Sequence, residues 1–182
     1  MTSDEDLMDQ TRQGSRAAFE TLFDRYREPI WRFFRRRTPD AARAEELAQD
    51  AFVAVFDGAA RYERRGTFRS YLFGIAYNIL FADRRKSAHR ATEPLDPDAG
   101  AAEFCDPDPG LWVRAALARL DDDDREVLML REYEQLSYLE IADVRGTPLN
   151  TVRSQLFRAR MALKTELERE APTAVRTHHA GR

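Results

Sequence analysis

The 182-residue chain contains one cysteine, Cys105, and three histidines, His89, His178 and His179. A single cysteine excludes an internal disulfide framework and fits a reducing compartment, so we expect a cytoplasmic protein. The few cysteines and histidines form no convincing metal constellation, and we expect neither a metal nor another cofactor. The chain also lacks an apolar run long enough to span a membrane, and its acidic N-terminus does not resemble a signal peptide. We therefore expect no membrane insertion.

Lysine is scarce as well, because arginine outnumbers it 27 to 2. The planar arginine fork suits phosphate groups. The net charge of −3 hides a segregation: residues 1–86 carry 16 cations and 14 anions, residues 87–110 carry 1 and 6, and residues 111–182 carry 12 and 12. Local potential governs docking to DNA, so the acidic average does not exclude a nucleic-acid partner.

Strand signals are weak throughout, and we predict an all-α fold class with two small helical domains joined by an acidic, flexible linker. Apolar spacing predicts two helices from Asp4 to about Phe34, a third from Ala41 to about Phe56 and a fourth from Phe68 to about Arg85. Residues 87–110 contain four prolines and few large apolar groups, which is typical of a linker. The predicted organisation is a first domain at 1–86, the linker at 87–110, a second domain at 111–170 and a disordered tail at 171–182.

Residues 136–160 predict two short amphipathic helices that meet at Gly146, whose conformational freedom permits a sharp turn. Their apolar residues recur at helical spacing and can pack against each other; they are Leu139, Ile141, Ala142, Val144, Leu149, Val152, Leu156 and Ala159. The outward residues suit base edges and phosphates; they are Asn150, Thr151, Arg153, Ser154, Phe157, Arg158 and Arg160. We predict a DNA-binding helix-turn-helix. An ordinary hairpin with a solvated basic face is the alternative, but it does not explain the segregation of charge.

A second basic cluster begins at the predicted connector between the third and fourth helices. Its cations interleave with aromatic residues: Arg61, Arg64, Arg65 and Arg69 alternate with Tyr62, Phe68 and Tyr71, and Arg84, Arg85 and Lys86 close the helix. This pattern suits a DNA strand whose bases are unstacked, since cations hold phosphates while rings contact exposed bases. Alternatively Phe68, Tyr71 and Tyr77 belong to the core, and for Phe68 the sequence leaves both possibilities open.

The third predicted helix has its apolar residues inward (Leu47, Ala51, Phe52, Val55 and Phe56) and a polar outer side that consists of Glu45, Glu46, Gln49 and Asp50. An acidic helix side by itself is usually a solvated surface. Beside two DNA-binding elements it indicates a basic protein partner. The run of four aspartates at 121–124 predicts a helix N-terminus, because consecutive residues of a helix do not face one way and cannot all bind one metal.

Three ordered motifs resemble those of bacterial sigma-70-family initiation factors. RAEELAQDAF at residues 43–52 resembles their DAED-L-x-QE-x-F helix, and GTFRSYLFGIAYN at residues 66–78 is similar to their G-S-F-R-x-W-L-x-x-I-A-R-N segment. Residues 128–160 follow their L-L-R-x-x-x-G-L-S-Y-x-E-I-A … T-V-x-S-R-L-x-R-A-R pattern. With two domains and a short linker, the chain resembles the extracytoplasmic-function (ECF) group.

The resemblance implies a non-enzymatic subunit of RNA polymerase, with no catalytic residue, that recognises and melts promoters. Core polymerase, through its clamp helices and flap, promoter DNA and an anti-sigma factor are the implied partners. The implied clamp-docking residues are Glu45, Glu46, Gln49, Asp50 and Phe52. Those implied for the −10 element are Arg61, Tyr62, Arg64, Arg65, Phe68, Arg69, Tyr71, Asn78, Arg84 and Arg85. Those implied for the −35 element are Asn150, Thr151, Arg153, Ser154, Gln155, Phe157, Arg158 and Arg160. The acidic linker would thread into the basic channel of polymerase; a simple spacer is the alternative.

The chain departs from the family pattern at several of these positions. Arg43 replaces the first acid of the clamp-docking motif, which would weaken docking or leave room for regulation. Tyr71 stands for tryptophan, and Tyr77 stands for arginine. Gln155 stands for a basic residue and Phe157 for histidine; since glutamine pairs with adenine and phenylalanine contacts the thymine methyl group, we predict an altered −35 preference.

Two other functions are compatible with parts of the sequence. A stand-alone helix-turn-helix regulator would bind a palindrome as a dimer without polymerase, but it leaves the acidic helix unexplained. A nuclease that used the aspartate run is a more distant alternative.

Overall fold

The computed structural model describes residues 2–91 and 111–170, and every regular element within these two ranges is helical. The all-α prediction is therefore confirmed. The chain divides into two compact units, one built on the helices before residue 92 and the other on helices after residue 110. Most of the predicted linker, from residue 92 onward, the predicted tail at 171–182 and Cys105 lie outside the described residues.

The first unit consists of α1 (Asp4–Arg12), α2 (Arg16–Arg35), α3 (Ala41–Gly58), a 3₁₀ turn (Ala59–Arg61) and α4 (Phe68–Ala91). Its first three helices begin at residues that cap them. The side chains of Ser3, Ser15 and Asp40 accept hydrogen bonds from the N–H groups of Asp6, Ala18 and Ala42. Each bond satisfies one of the four N–H groups that lack an intrahelical partner.

The core of this unit lies where α2 packs against α1 and α3 and where α3 packs against α4. The ring of Phe33 meets Phe34 and Phe73 edge-on, with centroids 5.1 and 5.7 Å apart. Buried aromatic pairs of this geometry contribute both area and favourable ring electrostatics. Phe56, predicted to face inward, is 53% exposed. That prediction was wrong because Phe56 lies at the edge of the apolar side of α3, where periodicity does not distinguish core from rim.

Helix α4 continues past the predicted end at Arg85 and reaches Ala91. Residues 87–91, assigned to the linker from composition, are therefore helical. Residues 87–91 contain no proline or glycine, and their alanines and arginine are good helix formers, so these residues do not end the helix.

The helices after residue 110 are α5 (Leu111–Ala118), α6 (Asp122–Glu132), α7 (Tyr138–Arg145) and α8 (Leu149–Glu170), and the second unit is built on α5, α6, α8 and the first turn of α7 up to Ile141. Helix α8 packs against α5 and α6, and it buries Val152, Leu156 and Ala159. The aspartate run begins α6: Asp121 is the N-cap residue and the next three aspartates form the first turn. The predicted helix N-terminus is confirmed, and it places carboxylates where the helix dipole favours them.

The helix-turn-helix segment is fixed by local chemistry at both of its turns. Ser137 and Glu140 form a capping box at the start of α7, in which each side chain accepts the other residue's backbone N–H at 3.2 and 2.8 Å. Gly146 then has a φ of +60°, which glycine adopts without strain and which ends α7. Leu139, predicted to pack inward, is 64% exposed, so that prediction was wrong.

Within the described ranges, no helix combines the length and the apolar character needed to cross a bilayer.

Candidate functional site

Three surfaces carry the residues that the sequence predicted to be functional. The first is the recognition face, which is the outward side of α8. Its exposed members are Asn150, Arg153, Ser154, Phe157, Arg158 and Arg160, and Thr151 and Gln155 are half-buried. The opposite side of the helix is held in the core of the second unit. The recognition face is therefore available to a partner without any rearrangement of α8.

Hydrogen bonds order the first turns of the recognition face. The Ser154 hydroxyl donates to the carbonyl oxygens of Asn150 and Thr151 at 3.1 and 3.0 Å. Arg153 Nη1 lies 3.3 Å from Asn150 Oδ1. These bonds preorganise polar groups on one side of the helix. Phe157, at 67% exposed, presents an apolar ring among them. The face thus offers both cationic forks and a surface suited to a methyl group.

Arg160 differs from the other arginines of the recognition face, because it is held by two elements of its own unit. Its Nη2 donates to Glu132 Oε1 at 2.9 Å and its Nη1 donates to the Tyr138 hydroxyl at 3.2 Å. The bonds to Glu132 first and Tyr138 second raise the pKa of Arg160 above its usual value. Arg131 lies over the Tyr138 ring, 5.4 Å from its centroid. Arg160 therefore braces α8 against the end of α6 and the start of α7, a contact that sequence spacing did not reveal.

The second surface is the connector surface, formed by residues 61–71 and the exposed side of α4. Phe68 is completely buried, and Tyr62 is largely buried. The Tyr62 and Tyr71 rings meet edge-on with centroids 5.0 Å apart, and burial raises the pKa of both phenols. The alternative left open for Phe68 is thereby decided: it is a core residue and cannot stack on a base. Tyr71 is half-buried and keeps part of its ring at the surface.

The cations of the connector itself, Arg61, Arg64 and Arg65, are exposed, and neighbouring acids hold two of them weakly. Arg65 Nη2 lies 2.5 Å from Glu63 Oε2, and Arg64 Nη1 lies 3.6 Å from Asp6 Oδ1. Exposed ion pairs of this kind contribute little stability, so a phosphate group can replace the carboxylate at small cost. Three further members lie along α4: Asn78 and Arg85 are exposed, and Arg84 lies over the Phe81 ring at 5.3 Å. Arg69 lies 5.8 Å from the Phe73 ring.

The third surface is the acidic face of α3, formed by Glu45, Glu46, Gln49 and Asp50, all of them exposed as predicted. Phe52 is buried behind it. Arg43 contacts the acidic face and α4 together. Its Nη1 donates to Glu46 Oε2 at 2.6 Å, while its Nε and Nη2 donate to Asp83 Oδ1 at 3.1 and 2.5 Å. Arg43, which stands where the motif has its first acid, thus links α3 to α4.

An apolar strip that the sequence predictions missed adjoins the acidic face. Phe23, Val53 and Phe56 are 37%, 58% and 53% exposed. The Phe56 ring meets Phe19 edge-on at 5.1 Å, and Phe23 meets Phe52 at 4.8 Å. Val53 follows Asp50 by three residues and so lies on the same side of α3. Contiguous exposed apolar groups rimmed by acids are typical of a protein-binding surface.

No group of three or more histidine, cysteine, aspartate or glutamate side chains within residues 2–91 and 111–170 is arranged to hold a metal ion. In particular, the aspartates of α6 fan around the start of the helix rather than converge on a point, and Arg125 pairs with Asp122.

Comparison with known proteins finds two family matches, one before residue 92 and one that begins at residue 110. Residues 22–90 match the family described as Sigma-70 region 2, and residues 110–163 match the family described as Sigma-70, region 4. The RNA polymerase sigma-H factor of Pseudomonas aeruginosa is 31% identical over 91% of this chain and 94% of its own length. The ECF RNA polymerase sigma factor SigC of Mycobacterium tuberculosis is 31% identical over 86% of each chain.

Two solved structures share the fold. CnrH, in complex with the cytosolic domain of CnrY, superimposes with a TM-score of 0.70 at 24% identity, covering 93% of this chain and all of CnrH. The sigma factor RpoE of Bartonella quintana, in complex with the anti-sigma factor NepR, superimposes with a TM-score of 0.65 at 22% identity. That match covers 84% of this chain and 98% of RpoE.

Proposed function

The chain belongs to the sigma-70 family of RNA polymerase sigma factors, in its ECF group, and we propose that its three exposed surfaces divide promoter recognition among them. A sigma factor is a non-enzymatic subunit that binds core RNA polymerase and directs it to promoters, where transcription begins. This membership decides against a stand-alone regulator and against a nuclease. We assign polymerase docking and the −10 element to residues 1–91, where α4 ends, and the −35 element to residues 111–170, with residues 92–110 as the linker.

The recognition face of α8 enters the major groove of the −35 element. The observation that carries this assignment is the exposure of Arg153, Phe157 and Arg158 on the side of α8 opposite its buried face. Arginine forks recognise guanine or phosphate, while Phe157 and the half-buried Gln155 give the face its individual preference for thymine and adenine. Arg160 contributes by holding α8 in place.

The connector surface binds the −10 element and holds its melted strand. Arg61, Arg64, Arg65, Asn78 and Arg85 supply exposed polar groups for the phosphates, and the accessible part of Tyr71 supplies a ring for an unstacked base. Captured bases offset the cost of unpairing, so binding energy drives melting. Tyr62 and Phe68 support this surface from beneath, and they do not contact DNA.

The acidic face of α3 docks on the clamp helices of core polymerase, and the apolar strip beside it enlarges the contact. The acidic residues orient the two partners and raise the rate at which they associate, while the exposed phenylalanines supply apolar area that becomes buried in a stable interface. CnrH and RpoE are each described in a complex, the latter with an anti-sigma factor. We propose that an anti-sigma protein covers the same acidic face and apolar strip, and that the chain acts in the cytoplasm, where polymerase and DNA are.

A gel shift with and without core polymerase tests this function. Promoter DNA should be retarded by the chain only when core is present. The double variant Glu46→Lys, Asp50→Lys should lose retention on immobilised core, whereas Glu28→Lys, an exposed α2 acid outside the acidic face, should retain it. Tight binding of the purified chain alone to a palindrome, without association with core, would contradict the proposal.

A further inference from the structure

The N-terminal helix α1 makes an unusual contact with the connector surface. The backbone N–H of Phe68, the first residue of α4, donates to Glu5 Oε1 at 2.9 Å. The two residues are 63 positions apart. The first N–H groups of a helix have no intrahelical acceptor, and they are normally satisfied by a residue just before the helix. Thr67 provides one such local cap by accepting the Ser70 N–H at 3.0 Å. Glu5 provides a second cap from a distant helix.

The first turn of α1, which carries Glu5, is held by a closed set of contacts. Asp4, its neighbour, accepts a hydrogen bond from the Tyr26 hydroxyl at 2.5 Å and pairs with Arg25 Nη1, also at 2.5 Å. The Tyr26 ring in turn meets the Phe68 ring edge-on at 5.5 Å. The path from Asp4 through Tyr26 and Phe68 therefore returns to α1 at Glu5. Burial and the bond to Asp4 raise the pKa of Tyr26, so its hydroxyl stays a donor.

The connector is fixed at both ends by this arrangement. At its start, Tyr62 is packed in the core, and at its end, Phe68 is buried and bonded to Glu5. The exposed residues Arg64 and Arg65 lie between these two anchors. A carboxylate at the N-terminus of α4 also interacts favourably with the helix dipole. Ordering a loop before it binds lowers the entropy that binding must overcome.

We propose that Glu5 is a positioning residue for −10 recognition: by capping α4 from α1, it holds the connector in the conformation that binds the melted strand. This inference rests on the proposed role of the connector surface. It assigns a function to the acidic first turn of α1, which lies outside the three surfaces. Glu5 acts through the Phe68 N–H and does not contact DNA.

The test uses holoenzyme reconstituted from core polymerase and the full chain. The probe is a fork-junction DNA with a duplex −35 segment and a single-stranded −10 segment, selected by the wild-type holoenzyme from a library randomised in both segments. Glu5→Ala should weaken fork binding by about fivefold, the factor expected for loss of one helix cap. Affinity for the −35 duplex alone and for core should stay unchanged. Hydrogen exchange of the Phe68 amide should become faster in the same variant.

Two further variants separate positioning from general stability. Glu5→Gln keeps a carbonyl oxygen that can accept the Phe68 N–H, so it should bind the fork within about twofold of the wild type. Asp9→Ala removes an acid from the same helix, where Asp9 faces Arg12 at 3.7 Å, and should leave fork binding unchanged. Wild-type fork affinity in Glu5→Ala, an equal loss on the −35 duplex, or a loss in Glu5→Gln as large as in Glu5→Ala would overturn the inference.

Arg61→Ala distinguishes this inference from the function on which it rests. If Arg61→Ala weakens fork binding while Glu5→Ala does not, the inference about Glu5 fails and the −10 assignment stands. If neither Arg61→Ala nor its combination with Arg64→Ala alters fork binding, the −10 assignment itself fails.

Discussion

The contact between Arg43 and Asp83 should stabilise the first unit measurably. Asp83 is only 14% exposed and receives two hydrogen bonds from the Arg43 guanidinium, which is 36% exposed. A hydrogen bond to a charged group is worth about 1.5–3 kcal/mol in a protected site, and partial exposure reduces this value. We therefore expect Arg43→Ala to lower the free energy of unfolding by about 2 kcal/mol, chiefly because it leaves the Asp83 carboxylate unpaired.

The two partners should not contribute equally. Asp83→Ala leaves Arg43 its bond to the exposed Glu46, so we expect a loss of about 1 kcal/mol. The double variant should resemble Asp83→Ala, with a loss of about 1 kcal/mol, because it contains no unpaired carboxylate. The resulting coupling energy should be about 2 kcal/mol in magnitude. Arg43→Lys keeps the charge but loses the forked geometry, and it should fall between the wild type and Arg43→Ala.

Urea unfolding followed by tryptophan fluorescence measures this cycle. The chain has two tryptophans, so a Trp112→Phe background leaves Trp31, in α2, as the reporter of the first unit. All four members of the cycle are compared in that background. A coupling energy below about 0.3 kcal/mol would refute the reasoning, since that is the level at which independent sites add.

Three other outcomes are expected. Asp50→Lys should reduce the affinity for core polymerase by about tenfold or more in a pull-down titration, because it reverses a charge in the acidic face, whereas Glu28→Lys should leave that affinity unchanged. Equal retention of both variants on core would contradict the docking assignment. Arg158→Ala should reduce by about 1 the steepness with which the logarithm of the binding constant for −35 DNA falls with the logarithm of the salt concentration, whereas Arg160→Ala should lower the free energy of unfolding of the second unit by about 1 kcal/mol. A larger change of the salt dependence in Arg160→Ala than in Arg158→Ala would reverse these roles. Gln135→Gly should raise the free energy of unfolding, measured by urea unfolding, by about 0.5–1 kcal/mol, because Gln135 has a φ of +54° that glycine adopts without strain. A loss of stability would show that the contacts of the Gln135 side chain outweigh the strain of its backbone.

The sequence predicted the helices well because their ends are set by nearby residues. Ser15 and Asp40 cap the helices that follow them, and Gly146 turns the chain between α7 and α8. Each signal depends on a side chain within a few positions of the bond it makes, so it can be read without knowing the fold. The exposure of the acidic face and of most of the recognition face followed from the same helical periodicity.

Periodicity was less informative at the edges of the apolar sides. Phe56 and Leu139 match a helical pattern, yet both are exposed, while Phe68 follows a cluster of arginines and is completely buried. Whether an apolar residue is core or rim depends on which neighbouring helix covers it, and that neighbour is distant in sequence. The apolar strip on α2 and α3 was missed for this reason.

The sequence by itself determined the all-α class, the positions of most helix ends, the helix-turn-helix and the sign of charge on each surface, since all of these depend on residues within one or two turns. Only the tertiary structure decided what holds these surfaces in place: Glu5 on the Phe68 N–H, Arg43 on Asp83, and Arg160 on Glu132. These contacts join residues 28 to 63 positions apart. The residues next to an arginine or glutamate in the sequence do not identify its distant partner, because helix packing determines which side chains meet.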